Sequence, residues 1–494
     1  MNFKTFLLDY LKHFFLLLPL ILIWLSIGTN AGNIFEDKNY FELLINLNFF
    51  QLREILPHLL CLTFLFLNLF NFKNKHNLNI ILICIFMILI SQLIGLIFAY
   101  YFDFRGDFGG GFNFLISLFF YFNYFLYIQN SSYEKERVYN YILFTILGIF
   151  VFYTLLIFIK SLPQYILQPH QFGYGGYEIL IFGEKIVFNS NGISRLFLYL
   201  YIFYICLITL KLNISNKIKE FYYFSITTIF ISIIYYYQSR FAFYSLIIIH
   251  IILFLKTKLF VKKLILVSSI FLAVFLSHQL NDKIKVFFND KANENLINIL
   301  LEKKILNTKI LSNNRNENTF VQNRIFNEEY ANSKLDNFHD KNFLNKQLSG
   351  RIDKILYTFK YLLNNKEIIF FGSGPEFDRV LFNKNDNKFL NIYKKYFEDL
   401  PSGPIYILLT GGILGFIVYI FLGLIFLKYF TKFLFFKIDH NDYILAALNC
   451  TILVIFLRTA IEKSFLIWSF DAIFLYAYMI LLNFQMNTKK LKVK

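Results

Sequence analysis

The chain has 494 residues, of which 57% are hydrophobic, 21% aromatic and only 16% charged, with a mean hydropathy of +0.52. That composition excludes a soluble multidomain enzyme, a disordered chain and a coiled coil. A formal charge of +17 would suggest nucleic acid in a soluble domain. Here much of the excess sits in short lysine-rich links between apolar runs, where it signals topology, and no nucleic-acid partner is expected.

The first apolar run, Phe14 to Ile27, follows Lys4, Lys12 and His13 and precedes no small-residue cleavage site, so a retained helix is expected rather than a signal peptide. Further runs of bilayer-crossing length cover 55–72, 79–101, 112–129, 141–159, 195–212, 222–238, 241–255, 264–279, 403–427, 443–459 and 464–484. The expected fold class is all-α: a polytopic membrane bundle of about twelve transmembrane helices. Nine spans fall in residues 1–280, a large helical periplasmic loop occupies 281–402, and three spans with a cytoplasmic tail fill 403–494. Cys61, Cys84, Cys206 and Cys450 all lie inside apolar runs as small packing residues, with neither a disulfide framework nor metal-ligand spacing.

Orientation follows from the cations. Lys73 and Lys75, Lys211, Lys217 and Lys219, Lys256, Lys258, Lys262 and Lys263, Lys428 and Lys432, and the terminal Lys489, Lys490, Lys492 and Lys494 fall on one side. The positive-inside rule makes that side the cytoplasm, with both termini in it. The other side carries Asp103 and Asp107 beside Gly109, Gly110 and Gly111, the Gly/Tyr-rich stretch 162–194 and the polar segment 281–400. The link around Glu134, Lys135, Glu136 and Arg137 is neutral and carries no orientation signal.

Within the long outer segment, Leu296, Ile297, Leu300, Leu301, Ile305 and Leu306 fit an amphipathic helix, whereas 312–345 is Asn-rich and aperiodic. A second helix is expected from Ser349, which is placed to cap it, with Ile352, Ile355, Leu356, Phe359, Leu362 and Leu363 at spacings of three and four and Asn364 and Asn365 at its end. The apolar run Ile368 to Phe371 and the turn Gly372-Ser373-Gly374-Pro375 follow.

Lysine far outnumbers arginine, as expected of an AT-rich coding bias, so the ten arginines are the less ordinary cations. Arg351 follows the Ser349-Gly350 helix start, where free N–H groups and the helix dipole favour an anion that a guanidinium can bind bidentately. Arg240, in Gln238-Ser239-Arg240, lies at an abrupt break between two apolar runs, at a depth that marks a functional cation unless it snorkels to headgroups. Arg195 opens the sixth span after Asn191-Gly192-Ile193-Ser194, and Arg458 ends the eleventh. Arg379 follows the Gly372–Gly374 turn, whose glycines allow close backbone approach to a ligand or merely a tight turn. Without Gly-Lys-Ser/Thr or a βαβ context it is not a nucleotide site. Asp471 is expected to pair structurally, with Arg458 or another buried donor, and the scattered histidines form no catalytic or metal pattern.

Taken in order, Gln238-Ser239-Arg240, Ser349-Gly350-Arg351, Phe371-Gly372-Ser373-Gly374-Pro375, and Pro401-Ser402-Gly403-Pro404-Ile405-Tyr406 leading into Leu409-Thr410-Gly411-Gly412-Ile413-Leu414-Gly415 resemble the O-antigen polymerase and O-antigen ligase superfamily. Ligases of that superfamily typically carry a histidine just before the span that follows the loop. None occurs between His339 and His440, which favours the polymerase branch. The resemblance implies an inner-membrane, metal-independent, inverting glycosyltransferase without cofactors. Its donor is a glycan on polyprenyl pyrophosphate, its acceptor another lipid-linked repeat unit, and a chain-length regulator is an implied partner. It also implies Arg240 and Arg351 as catalytic, stabilising charge on the leaving pyrophosphate, with Arg195, Arg379, Ser349, Gly372, Gly374, Ser402 and Arg458 binding substrate. The general base stays open among Glu178, Asp353, Glu376 and Asp399. A ligase transferring the glycan to a lipid A core, and a flippase for the lipid-linked precursor, are the competing expectations.

Overall fold

The computed structural model describes residues 13–27, 49–70, 79–106, 108–130, 134, 137–149, 151–152, 155, 177–181, 184–188, 190–211, 217–236, 240–257, 259–289, 351–383, 400–435, 443–460, 472–473 and 475–483. By packing, the chain falls into two compact units. One comprises Met1–Ile149, Phe343–Phe436 and Thr451–Lys494, the other Phe150–Asn342 and Lys437–Cys450. Residues 1–149 thus share a unit with 451–494.

The first unit contains helices α1 (Phe14–Ile27), α2 (Phe49–Phe70), α3 (Ile80–Tyr101), α4 (Phe108–Asn130) and α5 (Arg137–Ile149). The second contains a hairpin, β1 (Tyr177–Ile181) with β2 (Glu184–Phe188), then α6 (Ser190–Cys206), which runs into a π-helical turn (Leu207–Lys211), α7 (Lys217–Tyr236), α8 (Arg240–Lys256) and α9 (Phe260–Asn289). The chain returns to the first unit with α10 (Arg351–Asn364), α11 (Lys366–Phe371), α12 (Phe377–Asn383) and α13 (Gly403–Phe435). Next come α14 (Tyr443–Thr459) and a last helix, α15, over 475–483.

The described structure is thus helical apart from the antiparallel hairpin, whose register pairs Tyr177 with Phe188 and Ile181 with Glu184. The hairpin is a local departure from the all-α expectation, inside the Gly/Tyr-rich stretch 162–194. Among the described residues four helices are long and apolar enough to cross a membrane: Ile80–Tyr101, Phe108–Asn130, Phe260–Gln279 and Gly403–Phe435. The expected helix over 296–311 and the Asn-rich excursion 312–345 lie outside the described residues, as do Ser349 and Asp471.

Lipid-facing and protein-facing stripes can be told apart along α13. Ile413, Ile417, Ile420, Leu424 and Leu427 are exposed, at spacings of four and three. Gly415, Val418, Leu422, Phe426, Tyr429 and Phe433 are buried on the opposite side. A helix apolar on both faces has no stable place in water, so the exposed stripe belongs against hydrocarbon.

Helix α13 packs most extensively on α3, and small residues make the approach close. A Cβ on Gly411 or Gly415 would stand 2.7 or 2.8 Å from Ser91 Oγ, the small-residue contact by which membrane helices associate. At the N-terminal end of α3, the Asn79 side chain accepts from Ile81 N at 3.0 Å and from Asn483 Nδ2 at 3.0 Å. Tyr429 donates to Asn483, and Asn79 N donates to Gln129 Oε1 at 3.2 Å. These bonds satisfy polar groups that hydrocarbon would leave without partners.

In the second unit Lys262 Nζ donates to the carbonyl of Thr209, inside the π-helical turn, at 2.8 Å. His250, buried in α8, has Nδ1 2.8 Å from the Leu266 carbonyl. Because Nδ1 donates there, Nε2 is the acceptor for the Tyr201 hydroxyl.

Candidate functional site

A tightly constrained part of the first unit forms where α13 breaks. Gly412 is non-helical, with φ 61 and ψ −162. A continuous helix would pair the carbonyls of Leu409 and Thr410 with the N–H groups of Ile413 and Leu414. Instead these carbonyls accept from Ser373 N and Gly374 N, both at 2.9 Å, and Ser373 Oγ adds a bond to the Leu409 carbonyl at 2.6 Å. The Gly372–Pro375 turn therefore hydrogen-bonds to α13 at its break.

Such an approach needs glycine. Gly372 and Gly374 have φ of 81 and 79, in the left-handed region that side chains rarely adopt. A Cβ on Gly372 would overlap the Thr410 carbonyl, and one on Gly374 would stand 2.7 Å from Leu96 Cα. What the two glycines approach is backbone of this chain. Stacking of Phe371 on Phe98, centroids 4.7 Å apart, closes the side facing α3.

Charged groups gather around the turn. Arg105, in the link between α3 and α4, is 2% exposed, and its Nη1 donates to the Pro375 carbonyl at 2.6 Å. Gly111 in α4 leaves room for that guanidinium, because a Cβ there would stand 2.6 Å from Arg105 Nη1. Glu376 is buried with φ 59; its N–H donates to the Tyr406 hydroxyl at 3.1 Å. Its carboxylate meets Arg379 Nε at 2.7 Å. Asp378, fully buried, accepts from Leu400 N at 2.7 Å. Ser402 is buried, and its carbonyl accepts from Tyr406 N at 2.9 Å in the first turn of α13.

The structure thus brings Gly372, Gly374, Arg379 and Ser402 into one knot. Arg351 is the first residue of α10, and Arg458 is buried in the last turn of α14. In the second unit, Arg195 is half-buried in the first turns of α6 and Arg240 is the first residue of α8. Of the carboxylates left open as base, Glu376 is the one in the knot. Glu178 lies in β1 and Asp353 in α10, while Asp399 lies outside the described residues.

Sequence reasoning did not single out Arg105, Asp378 or Tyr406. A signal existed for Arg105: an arginine in a lysine-dominated chain, set between Asp103 and Asp107 beside three glycines. Asp378 had none, since it acts through a backbone group distant in sequence, and Tyr406 stood only as the last residue of the Pro401–Tyr406 motif. Among the described residues no three of His, Cys, Asp and Glu gather as metal ligands would. No family model, curated protein or solved structure matches the chain.

Proposed function

We propose that the chain polymerises lipid-linked oligosaccharide repeat units into a surface polysaccharide such as O-antigen, as a bacterial inner-membrane protein of about twelve spans with both termini in the cytoplasm. The observation that carries the reading is the knot itself. Two motifs of the resemblance, Phe371–Pro375 and Pro401–Gly415, hydrogen-bond to one another around buried charges. The knot occupies the C-terminal end of α3 and the N-terminal end of α13. Lys73 and Lys75 precede α3, and Lys428 and Lys432 lie towards the end of α13, so the positive-inside rule supports an extracytoplasmic knot.

In the reaction, the acceptor hydroxyl oxygen bonds to the anomeric carbon of the donor glycan, and the bond from that carbon to the pyrophosphate oxygen breaks. The hydroxyl proton passes to a base and polyprenyl pyrophosphate leaves with the bonding electrons. Developing charge on the leaving group needs fixed cations. Arg240 and Arg351, each at a helix start where the dipole adds positive potential, suit that task.

The test uses the purified protein in nanodiscs with lipid-linked repeat units, comparing wild type with Arg240→Ala and Arg351→Ala. Wild type should elongate, and each variant should lose roughly 10²- to 10³-fold in rate, the scale for removing a preorganised charge-stabilising group. Full elongation by a variant removes that residue from the reaction. Transfer of a glycan to a lipid A core without polymer would establish the ligase instead, and transbilayer movement of single repeats without transfer the flippase.

A further inference from the structure

Four charged side chains surround the Gly372–Pro375 turn, and three are sealed: Arg105, Glu376 and Asp378 are 2%, 4% and 0% exposed. The fourth, Arg379, keeps 33% of its side-chain surface open. It is held from two directions. Its Nε lies 2.7 Å from Glu376 Oε2, and its guanidinium carbon lies 5.9 Å from the centre of the Phe114 ring.

Glu376 is in no position to follow a moving partner. It sits at φ 59, which a non-glycine residue keeps only where its surroundings impose it. Tyr406 fixes its N–H, and Arg105 fixes the Pro375 carbonyl just before it. The arrangement is a rigid mount ending in one partly open guanidinium.

We infer that Glu376 is a positioning residue, whose buried carboxylate pairs with Arg379 and holds the guanidinium ready to receive the diphosphate of a polyprenyl lipid. A planar cation recognises phosphate oxygens through its orientation as well as its charge. An arginine already held loses less rotamer freedom on binding than a loose one. The diphosphate is taken from the proposed polymerase reading, on which the inference rests; the mount is taken from the geometry.

The experiment measures binding of undecaprenyl pyrophosphate to the full chain in nanodiscs by thermophoresis, for wild type, Glu376→Ala, Glu376→Gln, Arg379→Ala and the Glu376→Ala/Arg379→Ala double variant. Arg379→Ala should weaken binding about tenfold, the scale for one charge-assisted contact. Glu376→Ala should weaken it nearly as much in the wild-type background and cause no further loss when Arg379 is already alanine. Glu376→Gln, which keeps the size of the side chain but loses the charge that pairs with Arg379, should weaken binding as Glu376→Ala does.

Equal losses from Glu376→Ala in both backgrounds would reduce Glu376 to a structural residue and overturn the inference. Unchanged binding by Glu376→Ala, or no binding by wild type, would overturn it too. Should Glu376→Ala fail to fold, Arg379→Lys decides: lysine keeps the charge without the planar guanidinium, so retained affinity refutes the mount. Diphosphate binding with this pattern but no polymer from lipid-linked repeats would sink the polymerase reading and leave the site standing.

Discussion

Replacing Gly95 by alanine isolates the contact between α3 and the turn. Mid-helix, alanine is favoured over glycine by about 1 kcal/mol, so propensity alone predicts a more stable protein. The structure predicts the opposite. The added Cβ would stand 2.5 Å from the Thr410 carbonyl oxygen, 2.9 Å from Gly374 N and 3.0 Å from the Gly372 carbonyl carbon. All three are backbone atoms that cannot rotate away, so overpacking costs about 1–3 kcal/mol. Pushing the turn aside also endangers the bonds from Ser373 N and Gly374 N to α13, each worth about 1 kcal/mol net. The balance is a loss of about 2–4 kcal/mol. Gly148 supplies the control: a Cβ there meets nothing within 4 Å, so Gly148→Ala should be neutral or gain up to about 1 kcal/mol. Both are measured by thermal unfolding in detergent, followed by circular dichroism. Gly95→Ala as stable as Gly148→Ala would refute the account of the α3–turn–α13 junction.

Asp378→Ala strips Leu400 N–H of its acceptor and should cost about 1–3 kcal/mol. Asp378→Asn, which keeps an oxygen there, should cost less, and hydrogen exchange of the Leu400 amide should be faster in the alanine variant alone. In α10, burial pushes the Tyr361 phenol up to about 12, with Tyr357 adding to the shift. The folded state therefore holds this proton more tightly than the unfolded chain does. The stabilisation is complete below the ordinary value of 10.0 and is lost as pH rises from there to about 12. Tyr361→Phe should flatten that part of the alkaline stability curve, and an unchanged slope would show that burial does not hold the proton.

Hydropathy and spacing made several apolar helices legible because burial and lipid contact both select apolar runs. The expected 79–101 and 443–459 nearly coincide with α3 and α14, and Asn364 does end α10. The break in α13 was less visible: hydropathy runs through 403–427 without interruption, and only the Gly411-Gly412 pair hints that the helix changes direction. Ile368 to Phe371 was legible as apolar but not as a helix, since so short a run fits several conformations. The hairpin consists of two five-residue strands, too short to stand out from a Gly/Tyr-rich background. At the site, the glycines were legible as a tight turn, whereas Arg105 and Asp378 take their meaning from backbone partners that no local pattern specifies.

The bond between Arg105 and Pro375 spans 270 residues of chain. At ordinary rates of translation, about 5–20 residues per second, the carbonyl is synthesised roughly 15 to 55 s after the guanidinium that needs it. Throughout that interval the Arg105 guanidinium lacks the Pro375 carbonyl that it binds in the finished chain. Biogenesis of this protein therefore includes a waiting stage, and α13 with its turn is the late-arriving piece that ends it.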